Sequence, residues 1–386
     1  MIRTTIWRAP SRVALVLLLA APLAAPLRAQ TAGTCEPLIA AGFAAPVAVA
    51  RDSFAALVGR EPVAGATIAV VVRGELVWSE AMGAAHVGMG TGVGTDSDAH
   101  RPACRDTRFR LGSVSKVVTA LALLRLHDAG RLDLDDDVRG LVDAVAHQPA
   151  AITLRQLAGH LGGIRHYRSG AEYMNTRRYE RVGDALGIFA ADSLVAPPGD
   201  TYQYSSYGFN LLGAALEPAA GSDYAAAVAD RVLDPLGLAS TSPEAASPTG
   251  TLATPYSLRD DSLQVSPAFD PSDRLPSGGW VASAQDAARL GYALVDPGFL
   301  SESARAFLLE SQRTAGGEPT GTSIGVRTGV DAAGRRILHH GGTSVGARAF
   351  LLVYPDNGVA VALLANGPAE FAEAEVGRVV GRFLGD

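Results

Sequence analysis

The stretch FRLGSVSKVVTALALLRLHDAGRLDL, Phe109 to Leu134, decides how this chain is read. Val117, Val118, Leu121, Leu124 and Leu126 recur at mostly helical spacing and Gly130 supplies a stop, so residues 113–129 are predicted to form a helix. Ser113 and Lys116 stand at its start. Residues i and i+3 share a helix face, which brings a hydroxyl and an amine within hydrogen-bond reach. Of the 33 lysines and arginines in the chain, Lys116 is the one lysine. Arginine replaces a surface cation but cannot accept a proton, because its guanidinium does not deprotonate in proteins. A lysine depressed in pKa by burial or nearby positive charge can. Serine is a poor nucleophile until a base takes its proton. The pair therefore reads as nucleophile and base, with the helix N-terminus supplying amide donors and the positive end of its dipole. Ser115 is less suited, since i+1 does not face Lys116. The plainer alternative is a solvated lysine on an ordinary amphipathic helix.

The chain around this stretch has 386 residues, 48% hydrophobic and 19% charged. That composition is globular, and the length gives one large domain or two medium ones. A net charge of -6 without a long basic run argues against nucleic acid as a partner. The first residues read as an export signal over 1–29. Arg3, Arg8 and Arg12 are followed by an apolar run from Val13 to Leu23 and by small residues ending at Ala29. The apolar run is short for a membrane span, so an uncleaved anchor is the lesser alternative. No later segment reaches transmembrane length, and a secreted or periplasmic location is expected. Cys35 and Cys104 are the two cysteines. In an oxidising compartment they form either one disulfide or two unrelated thiols, and spacing alone does not choose.

Strand patterns lie at both ends. Ala66–Val72 and Leu76–Ser79 flank a turn at Arg73-Gly74-Glu75 and read as a hairpin. Ile337–His339, Ala347–Tyr354 and Val359–Leu364 are short apolar runs, the last two joined by a turn at Pro355-Asp356-Asn357-Gly358. Ala369–Leu384 reads as a closing amphipathic helix. Between the ends, short helical patterns appear at Thr153–Ala158, Asn210–Leu216, Tyr224–Leu233 and Ala284–Leu294. The glycines of residues 88–98 read as a flexible loop, because the strand-to-helix context of a nucleotide loop is missing. The expected class is α/β (α+β): an antiparallel sheet built from both termini, with helices flanking it and a mostly helical region inserted. The sheet part covers about 60–112 and 320–386, and the helical part about 113–319.

Two more elements bear on chemistry. Tyr204, in YQYSS (202–206), is able to share a proton with a lysine and act as general base or acid; a packed aromatic capping the next helix is the alternative. His339-His340-Gly341-Gly342 combines polar strand residues with glycines that let substrate backbone lie close. An amide there can pair with that of Ser113 as an oxyanion hole. Adjacent strand residues point to opposite faces, so the two histidines do not jointly chelate a metal easily. His160 and His166 lie in a loop-like stretch, and no acidic or cysteine cluster completes a zinc signature. No cofactor is expected.

FRLGSVSK, ITLRQLAGHLGGIRHY, PPGDTYQYSSYGFNLLG, PSGGWVASAQDAARLG and HHGGTSVGARAFLLVYPDNG, in this order, resemble the serine β-lactamase/penicillin-binding protein family. The likeness runs from about Ala66 to Leu384 and is closest to the class C, DD-carboxypeptidase and esterase branch and to the mitochondrial serine β-lactamase-like proteins. It implies the β-lactamase/transpeptidase-like fold. It also implies that Ser113 is the nucleophile, Lys116 its partner and Tyr204 the tyrosine of Tyr-x-Asn. His339 matches the first residue of the Lys/His-Thr/Ser-Gly motif, Gly341 its glycine, and Gly342 supplies the second oxyanion amide. A register shift of one residue would hand the place of His339 to His340. Ser206 stands where the family often has asparagine, and His340 where threonine or serine often binds a substrate carboxylate. The resemblance thus implies an exported serine hydrolase working through an acyl-enzyme, on peptides or esters in preference to β-lactams. A protein that keeps the fold as a non-turnover sensor or scaffold is the rival.

Overall fold

A computed structural model describes Met1 and residues 35–88, 99–247 and 250–385. The leader expected over residues 1–29, apart from Met1, and residues 89–98 of the glycine-rich stretch lie outside the described residues. The chain enters through helix α1 (Ala44–Val58) and the hairpin of β1 (Gly65–Val72) and β2 (Glu75–His86). The middle holds helices α2 (Ser115–Asp128), α3 (Ser206–Ala220) and α4 (Ala284–Ala293), separated by short helical turns. Four more strands follow: β3 (Arg327–Val330), β4 (Arg336–Ser344), β5 (Ala347–Tyr354) and β6 (Val359–Ala365). Helix α5 (Glu373–Val380) closes the chain.

These strands form one antiparallel sheet in the order β2-β1-β6-β5-β4-β3, with the short segments Leu38–Ile39 and Arg101–Pro102 paired to β2. The join between the two ends of the chain is β1 against β6, with Ala69 opposite Ala362. This is the mixed α/β architecture read from the strand patterns. Side chains alternate across a strand, and both faces are covered. On the outer face Ile68, Val70, Phe350, Leu352, Val361 and Leu363 pack with Phe54 of α1 and Val376 of α5. On the inner face Ala69, Val71, Leu351, Val353, Ala360 and Ala362 pack with the helical region.

Helix α2 runs through the middle of that inner core. Its residues from Ser115 to Leu124 are all buried, as expected of a helix that is apolar around most of its circumference. Ser113 lies just before it, in a tight turn over Gly112–Val114. Gly112 has φ +49, the left-handed region, and a Cβ there would stand 2.6 Å from the carbonyl oxygen of Thr343. Glycine is therefore required both by conformation and by the approach of this turn to β4. Cys35 and Cys104 are bonded, tying the start of the described chain to the segment after β2. Among the described residues no helix is long and apolar enough to cross a membrane.

Candidate active site

Ser113 and Lys116 meet as the i, i+3 spacing predicts. Lys116 Nζ donates to Ser113 Oγ at 3.2 Å, to Ser206 Oγ at 3.3 Å and to the Ser277 carbonyl at 2.9 Å. Among the described residues the ammonium has no carboxylate partner, and it is wholly buried. Burial pushes its pKa down, neighbouring Tyr204 pulls it up, and the Arg274 cation pushes it down again, for a net depression. Tyr204 completes the group by donating from its hydroxyl to Ser113 Oγ at 2.8 Å. Burial raises the phenol, but Lys116, the Ser113 hydrogen bond and the Arg327 cation together outweigh this and leave it below its usual value. Lysine and tyrosine thus form a coupled pair in which either protonation pattern leaves a base beside the serine.

Tyr204 is held by the segment that carries His160 and His166. Gln203 N donates to the His160 carbonyl at 2.8 Å, and Ser205 N to His160 Nδ1 at 3.2 Å. Ser205 Oγ donates to the Arg165 carbonyl at 2.7 Å, and Ser206 N to His166 Nδ1 at 3.2 Å. The rings thus satisfy the amides of the N-cap Ser205 and of Ser206, the first residue of α3, while Ser205 Oγ accepts from Gly208 N at 2.9 Å. His160 sits at φ +60, uncommon for a residue with a side chain, and its ring lies 4.4 Å from that of Tyr204. Burial keeps its pKa well below the histidine range, so it is a neutral acceptor.

Strand β4 forms the opposite wall, and here the two histidines fall on opposite faces of the sheet. His339 pairs across from Leu352 and stacks on Phe350, both on the outer face. Its Nδ1 is buried without a partner, and it lies away from Ser113. His340 pairs across from Leu351 on the inner face, is buried, and has its ring 6.5 Å from that of Tyr204. The alternation of strand side chains gives the cleft to His340 and withdraws it from His339. His340 Nδ1 donates to the Gly341 carbonyl at 2.7 Å. Burial, assisted by Lys116, pushes its pKa down to about 3. Gly342 is buried on the inner face, where a Cβ would run into the Leu111 carbonyl oxygen. The residues of β4 that line the cavity with Ser113 are Gly341, Thr343 and Ser344. Ser206 lines it too, besides accepting from Lys116.

That cavity holds about 330 Å³, and Tyr167, Tyr173, Phe269 and Arg274 form its far wall. The Arg274 guanidinium stands over all three rings at 4.9, 4.9 and 5.6 Å, paired with Asp273. A second hollow of about 730 Å³ lies on the other side of Tyr204, bordered by His340, Arg327 and Arg348. Among the described residues no group of side chains could hold a metal ion.

Comparison with known proteins identifies the family and the fold. Residues 50–383 match the family model described as Beta-lactamase. Penicillin-binding protein 4 of Amycolatopsis lactamdurans is 31% identical over 339 residues, covering 82% of this chain and 84% of its own. Esterase EstB of Burkholderia gladioli is 31% identical over 341 residues, covering 77% and 82%. In fold, the chain resembles the D-amino acid amidase of Ochrobactrum anthropi with a TM-score of 0.72 at 20% identity, covering 88% of this chain and 98% of that one. It also resembles a D-stereospecific amidohydrolase of Streptomyces, with a TM-score of 0.69 at 24% identity over 86% and 97%. The chain belongs to the beta-lactamase family and is a serine hydrolase of that family.

Proposed function

We propose that this protein is an exported serine hydrolase that forms an acyl-enzyme on Ser113 from a peptide, amide or small ester. The observation that carries the reading is the placing of Ser113 Oγ within hydrogen-bond distance of both Lys116 Nζ and Tyr204 OH. The Lys116–Tyr204 pair takes the Ser113 proton as the oxygen attacks the carbonyl carbon. The amides of Ser113 and Thr343 hold the oxyanion, and the exposed place of Thr343 beside the Ser113 turn supports it over Gly342. Tyr204 returns the proton to the leaving amine or alcohol, and water then releases the acyl group by the same path.

Export is supported by the leader and by the disulfide, which persists in oxidising compartments. An esterase and a penicillin-binding protein among the relatives, with D-residue amidases among the structural neighbours, support esters and D-residue amides as substrates. Arg327, exposed beside His340 and Tyr204, supports a carboxylate on the leaving-group side. Ser206 spends its hydroxyl on Lys116, where the family often has an asparagine facing substrate, which weighs against efficient β-lactam turnover. The test is a panel of short p-nitrophenyl esters, D-residue amides and peptides, and a chromogenic cephalosporin. Esters or D-residue amides should lead by about 100-fold or more in kcat/KM, a gap typical of losing one transition-state contact. A cephalosporin at the head of the panel would overturn the substrate reading.

A further inference from the structure

Among the described residues His166 is the one histidine that lines the Ser113 cavity, and the mechanism gives it no part. Its Nδ1 accepts the backbone N–H of Ser206 at 3.2 Å. A neutral imidazole has one acceptor nitrogen and one N–H donor, so this bond places the proton on Nε2. The ring stays neutral, because burial with help from Lys116 and Arg274 pushes its pKa down to about 4. Among the described residues nothing accepts from Nε2, and that atom is not sealed away as a buried unpaired one. The ring lies 4.3 Å from Tyr167 and perpendicular to Tyr204 at 5.6 Å, and it lines the same cavity as Ser113 and Ser206. His160 offers the contrast. Its Nδ1 is engaged by Ser205 in the same way, but the ring is buried behind Tyr204 and does not line the cavity.

The geometry points to His166 Nε2–H as a specificity-determining donor that binds a carbonyl oxygen on the acyl side of the scissile bond. The preferred acyl group then carries that carbonyl beside a flat apolar body, which Tyr167, Tyr173 and Phe269 receive. Ser206 lacks the side-chain amide that the family's asparagine would offer, and His166 supplies a fixed donor in the same cavity. This inference rests on the hydrolase reading for its kinetic test and on geometry alone for its binding test.

The kinetic test compares two p-nitrophenyl esters of equal length. One is the ester of N-phenylacetylglycine, and the other is the ester of 5-phenylpentanoate, in which methylenes replace the amide. Wild type should favour the first by at least about 10-fold in kcat/KM, as expected when a buried donor is left unpaired. His166→Asn, whose side-chain oxygen can still accept from Ser206 N, should abolish that preference, and the ratio of the two esters is the readout because any loss of the Ser206 contact falls on both alike. An unchanged preference in the variant, or equal loss on both esters, would overturn the inference; equal loss would mean that His166 only props Ser206. The second measurement uses the Ser113→Ala protein, where no turnover occurs, and reads the imidazole ¹⁵N signals of His166. N-phenylacetylglycinamide should shift the Nε2–H signal and 5-phenylpentanamide should not. If wild type hydrolyses neither ester, the hydrolase reading falls while the spectrum still decides this one. An unmoved signal contradicts it.

Discussion

His339 projects from the outer face of the sheet and His340 from the inner face, so identical side chains one residue apart meet different surroundings. The outer ring stacks on Phe350 and keeps an unpaired buried nitrogen. The inner ring is sealed near Tyr204 and Lys116, and its pKa falls further, to about 3 against about 4. The same contrast holds for the faces as wholes. The outer layer is apolar packing under α1 and α5, whereas the inner layer opens at one place into a cleft of polar groups. Chemistry in this fold follows the face of the sheet, and the residue type alone does not predict it.

The largest expected effect is on the inner side. Lys116→Arg keeps a cation but removes the proton acceptor, and kcat/KM should fall by about 100- to 10,000-fold, the range of general acid–base catalysis. A variant within tenfold of wild type would mean that Lys116 acts only as a charge. Next comes the histidine pair. His340→Asn should lower kcat/KM by about 10- to 100-fold, at the low end of what a positioned polar group in a cleft contributes. His339→Asn should leave kcat/KM within about twofold, as expected for a side chain with no contact to the reacting atoms. The reverse ranking would return the catalytic role to His339.

The smallest effect is thermodynamic. Folded His340 stays neutral down to about pH 3, whereas the unfolded chain takes that proton near 6.5. Between those values the unfolded state binds more protons. The stability due to this group is therefore complete above about pH 6.5 and declines as pH falls through that window. Going from pH 7 to pH 5 should cost about 2 kcal/mol from this residue alone. Urea unfolding at the two pH values measures the summed loss, to which His160, His166 and His339 also contribute, and His340→Asn should make the slope shallower by about this share. An equally steep slope in the variant would place the acid sensitivity elsewhere.

How far these contrasts were legible in the sequence depends on whether the signal was local. The Ser113–Lys116 pairing follows from helix geometry, and the β5–β6 hairpin follows from Pro355-Asp356-Asn357-Gly358. The register of β4 was harder, because His339-His340-Gly341-Gly342 carries no apolar alternation to mark its faces. Its partners Leu351 and Leu352 mark them only once the strands are paired. The strand also runs on to Ser344, which brings Thr343 into the cleft. Helix α1 is faint in the sequence although Val47, Ala50, Phe54 and Leu57 repeat at three- and four-residue steps, because alanines on the other faces blur the pattern. The roles of His160 and His166 are tertiary. They arise where two loops exchange hydrogen bonds, and neither loop announces its partner.

The central claim is that Ser113 is an activated nucleophile. Intact-protein mass spectrometry after treatment with a fluorophosphonate probe tests it most directly, with Ser113→Ala alongside. The account predicts a single adduct on the wild-type chain and none on the variant. A folded wild-type protein that takes no probe, or an adduct that persists in Ser113→Ala, would contradict it.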